Sequence, residues 1–324
     1  MSLIGHDEAI AAFMEAARSD RLHHAWLLAG PEGVGKASFA QLAARWLLAG
    51  APESFAISDE HQTSHLLAAG SHPDFKLLER LFKDKSEERT RSITVDQVRQ
   101  LQPLFATTPS LSPRRVVVID AIDDLERGGA NALLKNLEEP PSGTIFLLVS
   151  HALGRLLPTI RSRCRLLRFG KLDLAQTETV LRRVVDQSED VAALAAAADG
   201  APGRALDFVG LDIASIDASI ERLATQGDPG NALRSQLAKL LGTKAAQPRY
   251  EAFLARVPRR IAKAARAGGP DMPERIALWS EARRIADLAQ RQSMDPQMTV
   301  FELAGLVASL AAPPLPGREG PGVG

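Results

Sequence analysis

Seven residues constrain this chain more than any other stretch: Gly30-Pro31-Glu32-Gly33-Val34-Gly35-Lys36. They follow a short apolar run, residues 25–29, that reads as a buried strand, and they open a helical pattern over residues 36–49. In that setting they fit the first seven positions of G-x-x-x-x-G-K-[ST]. The glycines let backbone N–H groups turn inward around a phosphate, and the helix N-terminus adds partial positive charge. Lys36 is placed to reach terminal phosphates. A strand-to-helix turn with no ligand would use the same glycines, so the loop alone leaves both readings open. The eighth position departs from the pattern. Ala37 stands where a Ser or Thr would offer a hydroxyl to Mg²⁺, and Ser38 is rotated about 100° around the helix from that position.

The rest of the N-terminal half has the rhythm of a parallel sheet. Strands are expected at residues 75–78, 116–119 and 145–149, and helices at 95–105 (opened by Thr94 as N-cap) and 130–138, the last stopped by Pro140-Pro141. Alternating strands and helices imply an α/β P-loop domain, a parallel sheet with helices on both faces. Beyond about residue 168 only helical patterns follow, first over 172–185 and 191–198, then a short helix from Arg204 after Gly200-Ala201-Pro202-Gly203. An all-helical region over 213–310 follows, and 312–324 is a Pro/Gly-rich tail expected to be disordered. The expected domains are therefore 1–168, 169–209, 210–311 and the tail.

Val116-Val117-Val118-Ile119-Asp120 ends a central strand on a carboxylate. In P-loop proteins such an Asp completes the Mg²⁺ shell. The bland reading of Asp120 alone is a helix cap or a solvated strand end. The following residue is Ala121, whose methyl group can neither orient water nor accept a proton. Two losses at two chemical positions, Ala37 and Ala121, describe an ATPase scaffold without efficient ATPase chemistry.

Composition removes other classes. Lys plus Arg and Asp plus Glu are both 39, so net charge is zero, against a protein that coats nucleic acid by bulk charge. The one cysteine, Cys164, precludes an intramolecular disulfide framework and reads as a small packed residue rather than a nucleophile. No apolar run reaches membrane-span length, and no basic-then-apolar leader is visible, so a cytoplasmic protein without membrane contact is expected.

Two further motifs carry a resemblance: Asn131-Ala132-Leu133-Leu134-Lys135-Asn136-Leu137-Glu138-Glu139-Pro140-Pro141, and Ser162-Arg163-Cys164 after the 145–149 strand. With His24-Ala25, His72-Pro73-Asp74, Ile93-Thr94-Val95-Asp96 and Gly203-Arg204-Ala205, they resemble the clamp-loader branch of the AAA+ ATPases over about residues 3–208. That branch includes the motor (gamma/tau) and delta-prime subunits of bacterial DNA polymerase III. The resemblance implies an AAA+ domain, a small helical lid and an all-α C-terminal collar. Loss of Ala37 and Ala121 chemistry with retention of Ser162-Arg163-Cys164 matches the non-motor, delta-prime type of member.

The resemblance further implies that Arg163 is an arginine finger acting in trans, and that Gly30, Gly33, Gly35, Lys36, Asp120 and Arg204 form a degenerate nucleotide site. Outside that family reading, Arg163 would be an ordinary surface ion pair and Arg204 a helix-surface arginine. The implied partners are the gamma/tau motor and delta subunits and, through the complex, the sliding clamp and primer–template DNA. Arg89, Arg91, Arg99, Arg114 and Arg115 are the arginines available for DNA. ATP with Mg²⁺ is expected to bind weakly if at all. The family's four-cysteine zinc module is missing from residues 51–71, which hold only His61 and His65, so no metal is expected. A self-sufficient AAA+ ATPase, such as a divergent motor subunit or another replication ATPase, remains the alternative. A P-loop phosphotransferase acting on a small molecule is disfavoured by the helical C-terminal third and the two family motifs.

Overall fold

The computed structural model describes residues 3–19, 22–82, 89–186, 189–206, 209–292 and 294–311. The tail over 312–324 lies outside the described residues. The described residues form two compact units. The first runs to Val184 and includes Ala198–Arg204; the second comprises Val185–Ala197 and the chain from Ala205 onward.

The first unit is built on a five-stranded sheet: β1 (Ala25–Ala29), β2 (Phe75–Glu79), β3 (Arg115–Asp120), β4 (Thr144–Ser150) and β5 (Arg165–Arg168), in the order β2-β3-β4-β1-β5. Every pairing is parallel. β1, β3 and β4 are buried on both faces, which is why they read as unbroken Val/Ile/Leu-rich runs. Their alternate side chains feed two cores. Trp26, Leu28, Val116, Val118, Leu147 and Val149 pack with Phe13 of α1 (Asp7–Arg18) and with Phe39 and Trp46 of α2 (Lys36–Leu48). Ala25, Leu27, Val117, Ile119, Phe146 and Leu148 meet the other layer of helices. That layer includes α4 (Val95–Arg99), α6 (Arg127–Glu138) and α7 (Pro158–Arg161), while α3 (Gln62–Ala68) and α5 (Gln102–Phe105) are short connectors. The α/β class expected from the sequence, a parallel sheet with helices on both faces, is the class found.

Three local expectations need correction. The helix expected over 95–105 is two helices. Thr94 does cap the first through a complete capping box with Gln97. Pro103 cannot donate to the carbonyl four residues back, so the chain restarts as α5 with the proline in its first turn. A fifth strand was not expected. β5 reads Arg-Leu-Leu-Arg and buries only Leu167, because it lies at the sheet edge and lacks the apolar run of an inner strand. The helix expected over 172–185 is α8 (Leu174–Leu181), entered through an Asp173–Gln176 capping box. After it come α9 (Val191–Ala198) and α10 (Pro202–Leu206).

The second unit is helical throughout its C-terminal region: α11 (Ile213–Gln226), α12 (Ala232–Leu241), α13 (Gln247–Arg266), α14 (Met272–Arg291) and α15 (Pro296–Ala308). Leu223, Phe253, Val257, Ile261, Ala282, Val300 and Leu303 are all but completely buried. Charge sets the pairing of α11 with α13. Asp217 binds Arg256, and one turn further along both helices Glu221 binds Arg260 at 2.7 Å. The matching i,i+4 steps make these two helices parallel neighbours. Among the described residues no helix is long and apolar enough to cross a membrane.

Candidate phosphate-loop site

The sheet register assembles the site. Ala29, the last residue of β1, is paired with Ser150, the last of β4, and Asp120, the last of β3, with Val149. The C-terminal ends of three inner strands therefore meet on one row, where open α/β sheets bind ligands. The glycine loop leaves from the β1 end of that row. Gly33 and Gly35 have φ of +80° and +106°, a region that L side chains rarely adopt, so glycine is required at both. Gly30 is needed for space, since a Cβ there would sit 2.2 Å from the Phe169 carbonyl oxygen.

Lys36 is buried and spends its ammonium on the loop itself, donating to the carbonyls of Gly30 (2.7 Å) and Pro31. Burial lowers its pKa to about 8, against the opposing pull of Glu32, Asp120 and Asp123. Burial likewise raises the Asp120 pKa, partly offset by the positive field of His151. The residue after it, Ala121, is buried. Asp123 cannot substitute. Its carboxylate already accepts from the Ser150 hydroxyl (3.1 Å) and from the backbone N–H groups of His151 (2.6 Å) and Ala152 (3.3 Å). Asp124 pairs with Arg80 at 3.1 Å. These residues fit Mg²⁺ poorly: the hydroxyl is missing at Ala37, and the nearby Asp123 is committed to Ser150 and the backbone.

Arg204 arrives from another part of the chain. The Gly203 N–H donates to the Gly33 carbonyl at 2.8 Å, and the Arg204 backbone and side-chain stem lie over Gly33. The structure thus brings Gly30, Gly33, Gly35, Lys36, Asp120 and Arg204 to one end of the sheet. Arg163 is not among them. It sits in the turn between α7 and β5, half-exposed, with Nη2 2.8 Å from Glu138 and Nη1 donating to the Thr159 carbonyl at 2.9 Å.

Sequence reasoning missed the Asp123–Ser150–His151 tie at the ends of β3 and β4. The available signal was position: polar residues that end a wholly apolar strand in this fold face the ligand row. It also offered Arg115 as a surface cation, and the structure corrects this. Arg115 is buried, with Nη2 donating to the Thr107 carbonyl, and cannot reach DNA. Arg89 stacks on Phe82 and pairs with Glu79, and Arg99 pairs with Asp96. His72 and Asp74 are structural: Asp74 is buried and accepts from the backbone N–H groups of Ser110, Leu111 and Ser112 at 2.8–2.9 Å. His61 caps α3 through Nδ1, accepting from the Thr63 N–H. No group of three or more metal-ligating side chains is present among the described residues. Burial pushes the Cys164 thiol up to about 12.

A family model described as DNA polymerase III, delta subunit, matches residues 5–173. The DNA polymerase III subunit delta′ of Pseudomonas aeruginosa is 45% identical over 141 residues, 44% of this chain and 41% of that protein. The delta′ subunit of Escherichia coli K12 is 34% identical over 201 residues, covering 61% and 57%. The tau/gamma subunit of Haemophilus influenzae is 31% identical over 185 residues, covering 57% and 26%. The match thus spans about two-fifths to three-fifths of the length of the delta′ relatives. Among solved structures, a DNA polymerase III gamma subunit-related protein from Thermotoga maritima aligns with a TM-score of 0.46 at 14% identity, covering 93% of this chain and 100% of that one. With the family match extending from just before α1 through the phosphate loop, the sheet and Arg163, the chain belongs to the DNA polymerase III delta subunit family, among its delta′ members.

Proposed function

We propose that the chain serves as the delta-prime subunit of a DNA polymerase III clamp loader, a non-motor AAA+ subunit that completes a neighbour's ATPase site. One contrast carries the reading. The chain's own nucleotide site lacks chemistry at Ala37 and Ala121, while Arg163 stands accessible on the surface in a fixed setting. The Arg163 guanidinium meets charge that develops on the transferred phosphoryl oxygens of ATP held by an adjacent motor subunit. Fingers of this kind are worth roughly 10³–10⁵ in rate, about 4–7 kcal/mol. An exposed ion pair with no such role contributes only about 0–1 kcal/mol.

In this reading the partners are gamma/tau motor subunits and delta, with the sliding clamp and primer–template DNA engaged through the complex. Residues 1–168 form the AAA+ domain, 169–209 the lid and 210–311 the collar through which the subunits assemble. Gly30, Gly33, Gly35, Lys36, Asp120 and Arg204 are a vestigial nucleotide site.

The test is DNA- and clamp-stimulated ATP hydrolysis by a loader reconstituted from this chain, its motor subunit and delta. Arg163→Ala is expected to lower hydrolysis at the motor site it enters by about 10³-fold or more, and the chain alone to be silent. An unchanged rate with Arg163→Ala removes the finger role. Vigorous hydrolysis by the lone chain replaces the reading with an active ATPase.

A further inference from the structure

Arg163 is held from two sides. Its Nη2 lies 2.8 Å from the Glu138 carboxylate at the end of α6, and its Nη1 donates to the Thr159 carbonyl on α7 at 2.9 Å. Both partners sit beside core residues. Leu137, next to Glu138, and Ile160, next to Thr159, are buried in the same apolar cluster. The Leu137 carbonyl is further hydrogen-bonded by His24 Nε2 at 3.0 Å, which pins the end of α6 to the start of β1. The two groups that grip the guanidinium are therefore fixed to the sheet. Between Glu139 and Asp173 the chain has no acidic residue, so the segment carrying Arg163 supplies no counter-charge of its own.

The pair is 35% exposed at Arg163 and 49% at Glu138. Ion pairs this exposed add little to folding stability, so their effect lies in geometry. An untethered arginine on a short surface turn samples many rotamers and must surrender them on reaching a phosphoryl group. The five N–H donors of the fork are not exhausted by these contacts. Among the described residues, Nε–H has no protein partner.

We infer that Glu138 is the positioning residue for Arg163, fixing the guanidinium in the orientation in which it enters the neighbouring subunit's ATP site. The inference rests on the trans-finger reading above and adds a residue to it. Glu138 touches neither ATP nor the transferred group; it acts through Arg163.

The experiment uses the reconstituted loader with Glu138→Ala, Glu138→Gln, Glu139→Ala, Arg163→Ala and the Glu138→Ala/Arg163→Ala double variant. Assembly is checked by size-exclusion and folding by the melting temperature of each chain. Glu138→Ala is expected to lower kcat by roughly 10- to 100-fold with KM for ATP unchanged. Glu138→Gln, which keeps an acceptor at the same reach, is expected to retain kcat within about 3-fold. Glu139→Ala is expected to match wild type, and the double variant to be no slower than Arg163→Ala alone. A wild-type kcat for Glu138→Ala beside a slow Arg163→Ala overturns the inference while the finger reading stands. A faster Glu138→Ala makes the carboxylate a restraint and also overturns it. A wild-type rate for Arg163→Ala removes the finger and the inference together. Additive losses in the double variant assign Glu138 a separate role and overturn it.

Discussion

Gly33 and Gly203 meet backbone to backbone, with the Gly203 N–H donating to the Gly33 carbonyl at 2.8 Å. The approach depends on two missing side chains. A Cβ on Gly33 would lie 2.7 Å from the Arg204 nitrogen, and one on Gly203 would lie 2.9 Å from the Gly33 Cα. Neither neighbour is the loose end of a side chain, so neither can yield cheaply. Gly33→Ala and Gly203→Ala are each expected to destabilise the chain by about 1–3 kcal/mol. Gly33→Ala should be the worse, because its φ is also +80°. Gly154→Ala, at a site with open space, is expected to stay within about 0.5 kcal/mol. Urea unfolding measures all three, and amide exchange at Ala201, Gly203 and Arg204 should quicken in the first two.

Lys36 gives a signed pH dependence. Its pKa is lowered from the ordinary lysine value to about 8 by burial, so between about pH 8 and 10.5 the unfolded chain binds the proton that the folded chain has lost. Stability contributed at this site therefore rises with pH across that window, and the cost of burying the charge is fully present below it. Lys36→Met is expected to remove this component, of roughly 1–3 kcal/mol. The difference between wild-type and variant urea curves, followed from pH 7.5 to 10.5, reads it. A constant difference would place the ammonium in solvent.

Asp74 should behave in the opposite sense. Burial acts to raise its pKa, but three backbone N–H donors, with His72 beside them, more than offset this and hold the carboxyl below its usual range. The stabilisation is present above the unfolded pKa and is lost as pH falls through the folded one. Asp74→Asn is expected to cost about 2–4 kcal/mol at pH 7, and the deficit should shrink below about pH 4. Denaturant titrations at pH 7 and pH 3.5 test both statements.

Cys164 is expected to be nearly inert. With its thiol pushed up to about 12 by burial, the thiolate fraction at pH 8 is small, and a disulfide reagent should react at least about 100-fold more slowly with the native chain than in urea. Equal rates in the two states would mean that the sulfur is open to solvent.

How far the sequence could be read depended on the range of the interactions. The loop from Gly30 to Lys36, the buried strands around Val117 and Phe146 and the Thr94 cap were legible because each is encoded within a few neighbouring residues. β5 was not, because an edge strand buries too little to leave an apolar run. Arg115 misled for a related reason. An arginine beside a strand reads as a surface charge, and only the packed loop carrying the Thr107 carbonyl shows that it is enclosed.

The sequence by itself determined the chemistry that is present or missing. Ala37 and Ala121 lack functional groups in any fold, and glycines at positions 30, 33 and 35 permit a phosphate loop wherever a strand runs into a helix. Tertiary structure alone decided what those groups do. It turned Lys36 onto its own loop, tied Asp123 to the start of the segment after β4, laid Gly203 against Gly33 and placed Glu138 beside Arg163. These pairs are separated by 5 or more residues, and most by 25 or more. Their contacts depend on burial and on the sheet register, which local spacing does not encode.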